Sequence, residues 1–279
     1  MTPRLYHSCD SGEIWHADAA ALPLADKSAD LVFGSPPYCD ARDYGIGADR
    51  ECQEWIDWML TVTTEALRVS RGAVVWVAAG VTRDRNYWPA CEGLMYEWWK
   101  RGGSMYRPCY WHRVGIPGSG GDQWFRADVE YVMCFKDAGP LPWTDNTACG
   151  HTPKFDVGGR MSSRNVHGQR SNGNRTRGHY GIPEKSNPGN LLRTNAGGGH
   201  LGHALAHESE APFPEKLVEF FVLSLCPPGG TVLDPFSGSG TTAAVAQRHG
   251  RRFIASDIRE SQCELTKRRL EHNQLSLLT

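Results

Sequence analysis

Apolar residues along this chain fall into short runs divided by turn-forming residues, and the runs follow two different periods. At 13–18 apolar and polar positions alternate, the mark of a half-buried strand, and after the turn-rich 23–29 a second strand is expected over 31–34. Pro36 and Pro37 end it. Over 51–70, Trp55, Trp58, Met59, Val62, Ala66 and Val69 recur near the helical period, and Gly72 closes that helix before a continuous apolar run at 73–77. Helix followed by fully buried strand is the signature of a parallel sheet. Residues 108–116 and 129–135 read as two more strands joined by a loop at 117–122, which fits an antiparallel hairpin at the sheet edge.

Regular patterning stops between 138 and 206, where Gly, Asn, Ser, Thr, Arg and His dominate. It returns with a helix over 215–225, entered through Pro214 and closed by Pro227-Pro228-Gly229-Gly230. A strand at 231–234, a glycine turn, a helix at 241–249, a strand at 252–257 and a helix at 260–273 complete the chain. The expected fold is α/β: a Rossmann-like, doubly wound, mostly parallel sheet with an antiparallel edge hairpin and an irregular basic insertion. Three segments are expected: a catalytic half at 1–138, the insertion at 139–206 and a cofactor-binding half at 207–279.

Composition narrows the class. The 279 residues are 40% apolar, enough for an ordinary globular core. The longest apolar run, 73–81, is about half of the roughly 20 residues a membrane span needs. No apolar segment follows a basic one at the start, so a reducing cytoplasm, prokaryotic or phage-encoded, is the expected setting. Nine cysteines without a Cys-x-x-Cys pair argue for scattered thiols rather than disulfides or a zinc site. Net charge is −1, so any nucleic-acid footprint must be local. Between 139 and 206, eight Lys or Arg stand against three Asp or Glu, with five His besides. There Arg160, Arg164, Arg170, Arg175 and Arg177 are candidates to neutralise phosphates and read base edges of double-stranded DNA. A solvated loop would have the same composition.

Two strings carry chemistry. Near the start, Leu31 to Gly34 run into Ser35-Pro36-Pro37-Tyr38; near the end, Val232 and Leu233 run into Asp234-Pro235-Phe236-Ser237-Gly238-Ser239-Gly240-Thr241-Thr242. The second, with Gly238-x-Gly240-x-x-Ala243 after a strand and Asp257 closing the next one, also fits a dinucleotide fingerprint. Asp234 discriminates, because a carboxylate beneath the turn repels a pyrophosphate and favours a cationic ligand such as S-adenosylmethionine. Asp257, 23 residues on, is placed to accept from both ribose hydroxyls. A phosphate-binding P-loop is disfavoured, since no Lys follows the glycines.

Together the strings resemble motifs I and IV of the DNA amino-methyltransferases, which methylate exocyclic N4 of cytosine or N6 of adenine. Catalytic motif first and cofactor motif last, with a basic insertion between, resembles the circularly permuted beta class. His207-Glu208-Ser209-Glu210-Ala211-Pro212-Phe213-Pro214 is similar to motif X, and Asp18 to the acidic residue of motif III. The resemblance implies S-adenosyl-L-methionine as cofactor, restriction-modification as context and the insertion as target recognition region. It implies cofactor contacts from Asp18, His207, Phe213, Pro214, Asp234, Pro235, Phe236, Gly238, Ser239, Gly240, Thr241, Thr242 and Asp257.

An exocyclic amino nitrogen is a poor nucleophile because its lone pair is delocalised into the ring. Two acceptors, Ser35 Oγ and the Pro36 carbonyl, would localise that pair, with Pro36 and Pro37 fixing the geometry and Tyr38 stacking on a flipped-out base. By resemblance, Ser35 favours N4-cytosine; N6-adenine is the alternative. A nicotinamide-dependent oxidoreductase and a non-catalytic DNA-binding relative are the more distant ones. Cys109, in the one Pro-Cys pair, could serve C5 methylation but sits in an expected strand with no partner acid. His200, His203 and His207 could be drawn as a metal cluster, yet no third ligand is fixed and no metal is expected. Trp98 and Trp99, with Lys100 and Arg101, could touch nucleic acid, but are read as core packing of a helix face. The sequence does not choose between monomer and homodimer.

Overall fold

The computed structural model describes residues 1–39, 51–115, 125–153, 163–164, 167–171, 184–195, 201–209 and 212–276. The chain divides into two compact units, Met1–Asp145 with Asn190–Thr279, and Asn146–Gly189. The first unit is built on one large sheet. Its strands are β1 (Arg4–Cys9), β2 (Gly12–His16), β3 (Ala29–Gly34) and β4 (Ser70–Ala78), with α1 (Cys52–Val69) between the last two. A small ribbon, β5 (Val81–Arg83) and β6 (Asn86–Trp88), leads into α2 (Ala90–Lys100). The short β7 (Ser104–Met105), β8 (Cys109–Val114) and β9 (Val129–Lys136) follow. In the second unit β10 (Ser163–Arg164) pairs antiparallel with β11 (Arg170–Ser171), and His151 bridges Ser186. The chain re-enters the large sheet at β12 (Leu191–Asn195), makes a short 3₁₀ helix at Ala204–Glu208, and ends with α3 (Glu215–Leu225), β13 (Thr231–Asp234), α4 (Thr241–Arg248), β14 (Arg252–Asp257) and α5 (Glu260–Ser276).

Strand order across the sheet is β1-β2-β14-β13-β3-β4-β9-β8-β12. The central strands β2, β14, β13, β3 and β4 are mutually parallel. The strand β14, near the end of the chain, therefore takes its neighbour β2 from the start, Asp257 standing opposite His16 in register. The hairpin β8–β9 packs antiparallel on β4, as expected, but it is not the edge: β12 runs parallel along β8, pairing Thr194 with Arg113. The expected irregular segment thus contributes a strand.

Burial on both faces explains the apolar strands. Leu31, Phe33 and Val75 point to one layer, filled by Phe213, Leu217 and Phe221. Val32, Val74 and Trp76 point to the other, filled by Trp55 and Met59 of α1 and Leu94 of α2. The alternation is that of a sheet with helices on each side. Trp98 follows the expectation of core packing, its ring edge-on to Phe135 at 5.7 Å. Trp99 does not; it is 64% exposed, because adjacent helical residues point about 100° apart and cannot both face the sheet. All nine cysteines are free thiols, five of them buried. Among the described residues no helix is long and apolar enough to cross a membrane.

Candidate active site

Both strings lie at the carboxyl edge of the central strands, on either side of the point where strand order reverses between β13 and β3. Open α/β sheets bind ligands at such a switch point, because neighbouring loops diverge there. The two strings meet physically: a Cβ on Gly34, the last residue of β3, would lie 2.8 Å from Asp234 Oδ1 at the end of β13. Only glycine lets β3 approach that carboxylate.

Asp234 is fully buried. It accepts from Thr242 Oγ1 at 2.6 Å and from the Phe236 backbone N–H at 2.9 Å, pinning the turn to the first residues of α4. Burial pushes its carboxyl up to about 7, against those two donors. Gly240, the residue before α4, has φ +75°, a left-handed conformation that side chains disfavour, and its position allows no Cβ beside Thr266. Phe236 lays its ring edge-on against Trp76 at 5.7 Å and Trp58 at 5.9 Å.

A cavity opens above this turn. It is lined by Asp18, Ser35, Pro36 and Pro37 together with Phe213, Pro235, Phe236, Gly238, Ser239, Thr241 and Asp257. Asp257 Oδ2 accepts from Gly238 N–H at 3.1 Å and Oδ1 from Arg259 N–H at 2.9 Å, so the acid at the end of β14 also shapes the glycine turn. Asp18 Oδ1 accepts from Ala20 N–H at 2.9 Å, which closes its own turn after β2. On the loop after β3, Ser35 Oγ donates to the Val77 carbonyl at 3.0 Å, and Trp55 Nε1 donates to the Pro37 carbonyl at 2.7 Å. The loop is held from α1 and from β4.

Some expected residues stand elsewhere. Asp234, Gly240 and Thr242 support the turn from below and do not line the cavity, and Pro214 precedes α3 as its cap. His207 is exposed on the 3₁₀ helix, outside the cavity lining. Tyr38 is half-buried, its phenol donating to Glu130 Oε2 at 2.6 Å. Arg160, Arg175 and Arg177 lie outside the described residues, and Arg164 and Arg170 are described only as register partners in the β10–β11 pair. Cys109 does not line the cavity. His203 pairs with His272 at 3.2 Å, His200 lies outside the described residues, and among the described residues no cluster of three or more His, Cys, Asp or Glu could hold a metal ion.

Sequence reasoning missed Trp58 and Ser209 as cavity walls and Arg269 beneath the turn. Trp58 carried the periodic signal of a core helix position, which hid its second role. Arg269 on α5 is fully buried; Nη1 donates to Thr241 Oγ1 at 2.8 Å and the Ser239 carbonyl at 3.3 Å, while Nη2 pairs with Glu215 at 2.7 Å. Burial pulls the guanidinium below its usual value, opposed by the Glu215 pair. No local pattern signals a charged residue placed that way.

The donor set fits a ligand with ribose hydroxyls and a cationic end. Asp18 and Asp257 line the cavity, and the acid of Asp234, bonded to the Thr242 hydroxyl at the start of α4, lies beneath the turn where it disfavours a pyrophosphate. These features place the chain among the Rossmann-like methyltransferases rather than the dehydrogenases. A family model described as DNA methylase matches residues 29–268, and the chain belongs to that family, whose members methylate amino groups of DNA with S-adenosylmethionine. The orphan methyltransferase M.BamHII of Bacillus amyloliquefaciens is 27% identical over 254 residues, covering 89% of this chain and 91% of its own length. The fold matches that of the PvuII DNA methyltransferase, cytosine-N4-specific, with a TM-score of 0.68 at 20% identity, over 92% of this chain and 86% of that one. It also matches TTHA0409 of Thermus thermophilus, a putative DNA modification methylase solved in complex with S-adenosyl-L-methionine, with a TM-score of 0.59 at 23% identity, over 92% of this chain and 91% of that one.

Proposed function

We propose that the protein methylates exocyclic N4 of cytosine in double-stranded DNA, with Ser35 and Pro36 as the acceptor pair and the cofactor held between Asp18, Phe236, Gly238 and Asp257. The observation that carries this is the hydrogen bond from Ser35 Oγ to the Val77 carbonyl at 3.0 Å. The serine's single proton is committed to the sheet, so its oxygen offers the cavity lone pairs only. A base amino group, which can only donate while its lone pair is conjugated, meets two acceptors there. Their pull favours a tetrahedral nitrogen whose lone pair is free to attack.

Bound in the cavity, S-adenosylmethionine would supply a methyl group on a sulfonium: the N–CH3 bond would form as the S–CH3 bond breaks, with S-adenosylhomocysteine leaving and the amino group giving up one proton to solvent. The rest is positioning by this chain. Trp55 and the two prolines fix the acceptor loop; Phe236 and Asp257, which line the cavity, would offer an apolar ring to the adenine and an acceptor to the ribose. The target amino group is out of reach in a duplex, so the base must flip out, with Tyr38 as the stacking partner. The basic segment 139–206 then serves as the target recognition region, with Arg160, Arg164, Arg170, Arg175 and Arg177 on phosphates and base edges. The relatives being bacterial, the reaction belongs in a bacterial or phage-infected cytoplasm.

The fold match to a cytosine-N4-specific enzyme supports cytosine over adenine. Nucleoside mass spectrometry of DNA from cells expressing the protein tests this: N4-methylcytosine is expected. N6-methyladenine instead would transfer the same acceptor chemistry to adenine, and neither nucleoside would refute the enzymatic reading.

A further inference from the structure

Strand β9 runs against its neighbours, so its first residues arrive at the same sheet edge as the loop that follows β3. Register pairs Ala78 at the end of β4 with Tyr131, which puts Glu130 just beyond the carboxyl end of β4. The next strand pairs Trp111 with Glu130 and His112 with Val129. Glu130 is only 4% exposed. A carboxylate that deep is costly unless partnered, so its partners indicate its use.

Those partners lead in two directions. Tyr38 donates its phenol to Oε2 at 2.6 Å, the short distance of a charge-assisted bond. Arg113 Nη1 stands 2.8 Å from Oε1. Arg113 is itself fixed, with Nη2 donating to the Ala127 carbonyl at 2.7 Å and its backbone N–H to the Asp128 carbonyl at 2.8 Å. Neither Glu130 nor Arg113 lines the cavity, whereas Tyr38 directly follows Pro37, which does.

We propose that Glu130 is a positioning residue that acts through Tyr38, tethering the phenol so that an incoming base meets a ring already fixed, with Arg113 holding the tether. The inference rests on the reading of Ser35 to Tyr38 as the base-binding loop. Stacking on a mobile ring must first order that ring, and this cost falls on the step that seats the base; a ring fixed at both ends avoids it. At one end the backbone is fixed by Pro37, whose carbonyl is held by Trp55. At the other, the phenol is fixed by Glu130.

The test is a double-mutant cycle of Tyr38→Phe and Glu130→Gln, with methyl transfer from labelled S-adenosylmethionine to unmethylated DNA as readout. Each single variant is expected to lose about tenfold in kcat with KM for the cofactor little changed. The double variant should lose no more than the worse single, because Tyr38→Phe removes the same bond that Glu130→Gln deprives of its charge. Wild-type kcat in Tyr38→Phe, or losses that multiply in the double variant, overturns the proposal. So does a Glu130→Gln protein with a lower melting temperature but wild-type kcat, the behaviour of a residue that merely braces the sheet. Should Glu130→Gln fail to fold, Tyr38→Phe decides alone, since it keeps the ring. Ser35→Ala measured alongside separates the two claims. If it loses transfer while the cycle shows no effect, the tether alone falls; if it transfers undiminished, the reading of the loop falls and the tether with it.

Discussion

Replacing Arg269 by methionine removes the buried cation beneath the glycine turn while keeping much of its aliphatic bulk. Four interactions go: Nη1 to Thr241 Oγ1 at 2.8 Å, to the Ser239 carbonyl at 3.3 Å and to Ser239 Oγ at 3.4 Å, and Nη2 to Glu215 at 2.7 Å. Breaking a buried pair by deleting one partner costs about 3–5 kcal/mol, mainly because the other charge is stranded. Here Glu215 keeps Arg248 at 2.6 Å, an arginine near the surface, so its charge retains a partner. The expected loss is therefore about 3 kcal/mol, the low end of that range. Urea unfolding of both proteins at one pH measures it. The turn should also loosen, so that S-adenosylmethionine raises the melting temperature of Arg269→Met less than that of the wild type. A loss under about 1 kcal/mol, or a gain, would refute the reasoning, since apolar replacement of a buried pair can be neutral when the pair anchors nothing.

Other consequences follow from the same geometry. The Asp234 carboxyl, pushed up to about 7 from an ordinary 3.8, binds its proton more tightly folded than unfolded. That contribution is complete below about pH 4 and is lost as pH rises toward 7, up to about 4 kcal/mol at 1.36 per unit. Asp234→Asn, whose amide can still accept from Phe236 and donate to Thr242, should show a flatter stability curve between pH 4 and 8; parallel curves would count against it. Gly240→Ala forces a side chain to φ +75° against Thr266 and should destabilise by about 1–3 kcal/mol in thermal unfolding. Asp257→Ala removes an acceptor at the cavity and the anchor of Gly238, and should weaken cofactor binding at least about tenfold by calorimetry.

What could be read from the sequence was what local pattern encodes. Parallel strands buried on both faces leave continuous apolar runs, so β3, β4, β13 and β14 were visible, and with them the acids at their ends. The permuted order was legible only through the family resemblance, and in the structure β2 is the parallel neighbour of β14. β12 was hidden: Leu191-Leu192-Arg193-Thr194-Asn195 sits in polar surroundings and is a strand through its pairing with β8 rather than through propensity. Arg269 and Glu130 were hidden for a related reason, since a charged residue in a helix or strand reads as a solvated face until its distant partner is known. The proton partner of Ser35 was equally out of reach, because it depends on the register that sets Gly34 beside Trp76 and Val77 next to the loop.

Ser35 acting as an acceptor toward a base amino group is the centre of the proposed mechanism, and the Ser35→Ala protein tests it most directly. Single-turnover methyl transfer to DNA should fall about a hundredfold or more, the scale of losing one preorganised electrostatic partner, while S-adenosylmethionine binding stays close to that of the wild type. Transfer at the wild-type rate by Ser35→Ala would contradict it.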